Sequence, residues 1–228
     1  DVDEVLSTFL YEGNATTRNI QNGIDLTEGG LVWTKRRDGT DSHNFYDTVR
    51  GVTKVLYSDD TSGQGTDTNE ITAFNSNGYT LNQDGGQTNG NSQDYVSWTF
   101  RKAPKFFDIV TYTGNTVGSS AQTISHGLGS TPGFIIVKRY STAGDWAVWH
   151  RYNANGTGFL NVTDAFYTTI SSSFISSVGS TSFTVGESLN TNGQSFVAYI
   201  FAHNNNDGEF GPDSDQDIIK SGSYSGND

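Results

Sequence analysis

Cysteine is absent from the 228 residues, and so is methionine. The first absence excludes a disulfide framework, a thiolate metal site and a cysteine nucleophile. A secreted eukaryotic module of this size often carries disulfides, so a microbial or viral source is expected. Proline occurs 3 times, and the 27 glycines follow no Gly-X-Y period, which excludes collagen. No apolar run approaches the roughly 20 residues that span a bilayer as a helix, so no membrane insertion is expected. Basic residues are few, 13 against 25 acidic, for a net charge of −12. An acidic chain lacks the phosphate-neutralising footprint of a nucleic-acid binder. Helical stretches with capping signals are also missing. The best helical candidate is short, around Val49 to Tyr57, and Gly51 weakens it.

What is present points to strands. Apolar residues make up only 33% of the chain, yet aromatics alone supply 13%. Each buried aromatic removes about 150–250 Å² from water, so Phe, Tyr and Trp with Val and Ile are expected to build the cores. Turn dipeptides punctuate the runs: Asn77-Gly78, Asn89-Gly90, Gly114-Asn115, Asn155-Gly156 and Asn192-Gly193. In "SFVAYIFAH", Phe196, Ala198 and Ile200 alternate with Val197, Tyr199 and Phe201. "DWAVWHRY" places Trp146, Val148 and His150 opposite Ala147, Trp149 and Arg151. The apolar run in "GFIIVKRY" reads as a strand buried on both faces that ends in charges at the sheet rim. Such strands and turns predict an all-β chain of antiparallel sandwiches.

The sequence repeats itself. Tyr11-Glu12-Gly13-Asn14 returns as Tyr112-Thr113-Gly114-Asn115 and again as Tyr224-Ser225-Gly226-Asn227. "GLVWTKRR" from Gly30 matches "GFIIVKRY" from Gly133, and "DYVSWTFRK" from Asp94 matches "SFVAYIFAH" from Ser195. From Tyr11 to Trp98 is 87 positions, as is Tyr112 to Tyr199. The expected organisation is a first β-sandwich repeat over 1–105, a second over 106–203, an acidic linker over 204–217, and the start of a truncated third repeat over 218–228. Each full repeat has about one hundred residues, enough for its own core. The short link "RKAPKFF" predicts a stiff junction, and "HNNNDGEFGPDSDQD" an exposed loop or hinge. The chain is expected to be an excerpt of a longer array. Charge differs between the parts: −9 over residues 1–100, +2 over 101–201 and −5 over 202–228.

Signals for chemistry are sparse. Asp213, Asp215 and Asp217 alternate as the first carboxylates of a calcium loop do, but Ile218 stands where glycine is required and Tyr224 where the closing glutamate is. A solvated acidic linker is the expected reading, with no metal and no cofactor. His43, His126, His150 and His203 are dispersed, form no HExxH or helical i,i+4 pair, and lack a serine elbow to work with. They read as hydrogen-bonded or exposed structural histidines, and no catalytic residue is expected. Lys35 to Arg37 and Lys138-Arg139 occupy equivalent places and read as strand-end charges facing solvent or pairing with acidic loops. For a sugar, aromatic faces beside Asp, Asn and Arg are the usual recognition surface. Trp98 sits where the second repeat has Tyr199, as a core position does. Trp146 and Trp149 lie on opposite sides of one strand, so one of them is the candidate ligand-binding or interface anchor.

Three segments carry a family resemblance. They are "GLVWTKRRDGTDSHNFYDTVRGVTKVLYSDDTS", "ITAFNSNGYTL" and "DYVSWTFRKAPKFFDIVTYTGN". The motifs within them are Asp47-Thr48-Val49-Arg50-Gly51, Phe74-Asn75-Ser76-Asn77-Gly78-Tyr79 and Tyr95-Val96-Ser97-Trp98. They resemble the repeated β-sandwich modules of tailed-bacteriophage virion proteins, those of marine and cyanobacterial phages included. "ISHGLGSTPGFIIVKR" is similar to a second module type of that family. The second repeat departs from the first where "VWHRYNA" replaces "FYDTVRG". The resemblance implies concanavalin- or laminin-G-like, or jelly-roll, sandwiches in a non-enzymatic virion structural or tail-fibre protein. It implies a homo-oligomer, a trimer by family analogy, that contacts other virion proteins and engages a host-surface glycan outside the cell. The alternative is a carbohydrate-binding adhesin module on a cell or virion. A glycan-cleaving tailspike needs a pair of carboxylates in a cleft, and the sequence offers no sign of one.

Overall fold

Alternating apolar residues separated by Asn-Gly turns give strands, and in the computed structural model every sheet is antiparallel. The structure describes residues 1–83, 85–116, 120–168, 173–204, 210–211, 213 and 215–225. Among them there is no α-helix, and four short 3-10 turns supply the helical backbone. The chain divides into two units: Asp1–Lys102 with Tyr140–Gly144, and Ala103–Arg139 with Asp145–Asp228.

Unit 1 contains β1 (Leu6–Glu12), β2 (Arg18–Ile20), β3 (Gly30–Arg36), β4 (Asn44–Asp47), β5 (Lys54–Tyr57), β6 (Gly65–Thr66), β7 (Ile71–Asn75), β8 (Gly78–Leu81) and β9 (Asp94–Arg101). Six of these form a sheet in the order β1-β9-β3-β4-β5-β6, and the others a sheet in the order β2-β8-β7. Val32, Tyr46 and Val55 of the larger sheet and Ile20, Ile71, Tyr79 and Leu81 of the smaller share one buried cluster. Burying each aliphatic or aromatic side chain contributes about 1.5–3 kcal/mol, which holds the two layers together.

Unit 2 contains β10 (Phe107–Thr113), β11 (Gln122–Ser125), β12 (Phe134–Arg139), β13 (Trp146–His150), β14 (Gly158–Phe159), β15 (Ile175–Ser176), β16 (Ser182–Val185) and β17 (Ser195–Phe201). Its larger sheet runs β10-β17-β12-β13-β14 and its smaller one β11-β16-β15. Ile135, Val137, Ala147, Trp149, Phe196, Ala198 and Ile200 meet Ile124, Phe183, Val185 and Ile175 between the layers. The alternation read from "SFVAYIFAH" therefore faces the core as expected. Each unit is thus a two-layer antiparallel sandwich.

The Tyr-x-Gly-Asn segments have the same bonding in both units. Tyr11 stacks on Tyr95 at 5.3 Å, and Tyr112 on Phe196 at 5.1 Å. The Tyr11 hydroxyl donates to the Thr88 carbonyl at 2.8 Å, and that of Tyr112 to the Leu189 carbonyl at 2.9 Å. Gly13 N–H donates to Gln93 O and Gly114 N–H to Gln194 O, both at 2.8 Å. The next residues, Asn14 and Asn115, donate their N–H to the side-chain oxygens of buried Asn89 and Asn190. Only glycine fits before them, because a Cβ at Gly13 would lie 2.1 Å from Gly90 O and one at Gly114 2.2 Å from Thr191 O. Of the third such segment, Tyr224 is exposed, and Gly226 and Asn227 lie outside the described residues.

Two local expectations are corrected. Val49 to Tyr57 is not helical: a turn leads into β5, because the Asp47 carboxylate accepts the N–H groups of Val49 and Arg50 and Gly51 takes φ 98°. Lys138 is not a rim charge. It is fully buried, with its ammonium 5.6 Å from the centre of the Trp146 ring, an arrangement that the ring quadrupole favours.

The described residues after β17 belong to unit 2. Buried Asn204 accepts the N–H groups of Ile218 and Ile219 on its side-chain oxygen, and Ile219 packs against the core cluster. Phe210 is buried, while Asp213, Asp215 and Asp217 are exposed.

Candidate functional site

The third strand of each larger sheet sets up a corner. Leu31 pairs with Phe100 on one side and Asp47 on the other. Phe134 pairs with Phe201 on one side and His150 on the other. His150 thus occupies the register position of Asp47. The following N–H groups agree: Thr48 donates to Gly30 O and Arg151 to Gly133 O, each at 3.0 Å. Both corner residues then cap the turn, Asp47 accepting from Val49 N–H at 3.1 Å and His150 Nδ1 from Tyr152 N–H at 3.4 Å.

Beyond that point the corners differ. In unit 1, Arg50 folds back so that its Nε donates to Asp47 Oδ2 at 2.6 Å, with both side chains buried. Its Nη1 donates to Gln64 Oε1 at 3.2 Å and its Nη2 to Phe45 O at 3.1 Å. The buried carboxylate is matched by the Arg50 guanidinium through its Nε–H and by two main-chain donors, as a charge removed from water requires.

In unit 2 the corner opens into aromatic rings. Tyr152 lies in a 3-10 turn, Arg151–Asn153, and is 57% exposed. Its ring centre lies 5.9 Å from that of His150, with the planes tilted by 41°, and 5.8 Å from that of His203, with the planes inclined by 71°. Phe134 contacts His150 at 6.2 Å and Phe201 at 5.9 Å, joining the rings to the sheet. Trp149 Nε1 donates to Ala154 O at 3.3 Å and fixes the end of the turn.

The four histidines share a chemistry that the sequence did not disclose. Each ring accepts at Nδ1: His43 from Trp33 Nε1, His126 from Leu128 N–H, His150 from Tyr152 N–H and His203 from Ser221 N–H, at 3.1–3.4 Å. A neutral imidazole that accepts at Nδ1 carries its proton on Nε2. In His126 that proton faces Gly179 O at 3.2 Å. Burial lowers the pKa of His43, His126 and His150 below the ordinary value, and for His150 the Arg151 charge adds to the shift.

Trp146 and Trp149, the sequence candidates for a ligand, are 0% and 5% exposed. Trp146 stacks on Tyr199 at 6.2 Å under the Lys138 ammonium, while Trp149 belongs to the core cluster. Both faces of β13 are buried, so the alternation that separates the two rings does not open either to a ligand. Among the basic candidates, Lys35 donates to Gly39 O and Asp41 O, and Arg36 pairs with Asp38 at 2.8 Å and Asp41 at 3.1 Å. Among the described residues no three His, Asp or Glu side chains gather as metal ligands would. Glu70 is a buried carboxyl whose pKa is raised by burial, opposed by hydrogen bonds from Thr88 Oγ1 and Gln87 N–H.

The Tyr152 corner was missed because its members are far apart in sequence. The available signal was the replacement of "FYDTVRG" by "VWHRYNA" at equivalent places. No curated protein and no solved structure matches the chain. A family model described as a domain of unknown function, DUF7483, matches residues 2–227, and the chain belongs to that family.

Proposed function

We propose that this chain is a non-enzymatic structural protein of a tailed-phage virion, part of a module array in a tail fibre or other particle appendage. The observation that carries the reading is the recurrence of one Tyr-Gly-Asn bonding set, 101 positions apart, in larger sheets whose first five strands follow the same order, unit 1 adding β6 at its edge. A chain that extends an appendage is economically made from repeated self-contained modules, each with its own core. The resemblance of "NFYDTVRG" and "DYVSWTFRK" to phage virion modules supports the same reading. So does the use of the polar interior, where histidines, asparagines and the Asp47–Arg50 pair hold turns in place. The array assembles as a homo-oligomer outside the host cell and contacts other virion proteins.

The experiment is gold-labelled antibody against this chain on intact particles, viewed by electron microscopy. Label along tail appendages is the expected result. Label on the head would recast the chain as a capsid fibre, and absence of the chain from purified particles would overturn the reading. A second reading, a carbohydrate-binding adhesin module, is favoured by one observation, the exposed Tyr152 ring in contact with two imidazoles.

A further inference from the structure

We propose that unit 1 binds ordered water between its two layers, in a polar row made by Asn44, Thr34 and Ser97 with the Tyr79 hydroxyl beside it. The proposal concerns the interior and rests on neither reading of function.

Register sets the row. Thr34 on β3 pairs with Asn44 on β4 and with Ser97 on β9. Residues directly opposite in antiparallel strands share a face, with Cβ atoms about 4.5–5.5 Å apart. Thr34 follows Val32 by two positions and Asn44 precedes Tyr46 by two, and Val32 and Tyr46 belong to the buried cluster. The row therefore faces the smaller sheet. Tyr79 comes from that sheet and belongs to the same cluster. Burial raises its pKa, and hydrogen-bonding influence from Ser97 and Tyr11 opposes the rise, which puts both side chains near its hydroxyl.

These groups are buried and unmatched. Asn44 is 1% exposed, and Thr34, Ser97 and Tyr79 are 0% exposed. Thr34 Oγ1, Asn44 Oδ1, Ser97 Oγ and Tyr79 OH make no hydrogen bond of normal geometry among the described residues. The Asn44 amide is oriented by its Nδ2, which donates to Ser42 O at 3.2 Å, so its unmatched end is the oxygen. Leaving a buried polar atom without a partner costs more than its bond contributes, and native interiors match nearly all of them. Polar side chains on neighbouring strands that stop short of direct bonds have the spacing that a water bridges.

Unit 2 shows that the fold does not need this polarity. Val137 pairs with Ala147 and Ala198 in the register that joins Thr34 to Asn44 and Ser97, counted from the corner pairs of Phe134 and Leu31. Ile20 pairs with Tyr79 as Ile124 pairs with Phe183, so Phe183 holds the place of Tyr79. All four counterparts are apolar and belong to the core cluster of unit 2. The same sandwich therefore closes over apolar side chains, and packing alone does not account for the row in unit 1. Its groups are hydroxyls and an amide oxygen, all uncharged, and water offers them both donors and acceptors.

The test is a crystal structure of the full chain at a resolution that shows ordered water. The expected result is water within hydrogen-bond distance of at least two of the four atoms. Direct bonds among the four side chains with no water between them, or a cation in that place, would overturn the proposal. Oxygen-17 magnetic relaxation dispersion reads the same site in solution, because water enclosed between the layers exchanges slowly. Thr34→Val with Ser97→Ala nearly preserves volume and installs the residues of unit 2. The long-lived water signal should be lost, since an apolar space of that size stays dry. Tyr79→Phe, a milder change, should reduce it. An unchanged signal in both variants, with near-ultraviolet circular dichroism showing them folded, would also overturn the proposal. None of these outcomes bears on the particle labelling, so the virion reading stands or falls separately.

Discussion

Asp47 and Arg50 form an ion pair at 2.6 Å with side chains 0% and 1% exposed, three residues apart in a turn that the sequence made look helical. Removing one partner of such a pair leaves a buried charge unmatched and costs about 3–5 kcal/mol. Arg50→Met keeps much of the volume and removes the charge and its bonds to Gln64 and Phe45. Its urea midpoint should fall by an amount equivalent to that range. A change below about 1 kcal/mol, the worth of an exposed pair, would show that solvent reaches the carboxylate.

Asn89 and Asn190 are predicted to matter equally in their two units. Asn89 accepts from Asn14 N–H and donates to Thr16 O and Asn82 O. Asn190 accepts from Asn115 N–H and donates to Asn115 Oδ1 and Ser120 O. With three bonds each at about 1 kcal/mol, either alanine substitution should destabilise its unit by about 3 kcal/mol. Amide hydrogen exchange reads this out by unit. Faster exchange in β1 and β9 is expected for Asn89→Ala, and in β10 and β17 for Asn190→Ala. A large effect in only one unit would mean that the matching bonds do unequal work.

The strands of unit 2 were legible because alternation encodes which side chains face a core, and Phe196, Ala198 and Ile200 face it. Alternation could not reveal that both faces of β13 are buried, which is why one of Trp146 and Trp149 was expected to be an exposed anchor. Lys138 was misplaced for a related reason: charge marks a rim only where water reaches it. The helix expected at Val49 fails because a side-chain carboxylate takes the N–H groups that would begin it. The Tyr152 corner depends on Phe134 lying between His150 and Phe201 across three strands, a register that local sequence does not state.

Glu70 should make the chain less stable as pH rises. Burial lifts its pKa above 4.5, reinforced by the Asp67 charge and opposed by bonds from Thr88 and Gln87. The folded state therefore holds this proton more tightly than the unfolded state. The contribution is greatest below the unfolded value and declines as pH climbs through the raised value. Glu70→Gln retains the acceptor for Gln87 N–H and carries no charge. Its stability relative to wild type should improve between pH 4 and neutrality. A difference independent of pH would mean that Glu70 is hydrated.

The histidines impose the opposite dependence. His43, His126 and His150 have folded pKa values lowered by burial, so the unfolded state takes up protons first as pH falls. Their contribution is present above the ordinary value of 6.5 and is lost on acidification below it. The structural cause is specific, because protonation at Nδ1 destroys the acceptor that receives Trp33 Nε1, Leu128 N–H or Tyr152 N–H. Nitrogen-15 NMR of the imidazoles at pH 7 should show the Nε2–H tautomer at all three, with midpoints below 6.5 on titration. His126→Asn supplies a side-chain oxygen as acceptor without the titrating ring. It should flatten part of the stability loss between pH 7 and 5. A His126 midpoint at or above 6.5, or an Nδ1–H tautomer, would contradict the assigned bond to Leu128.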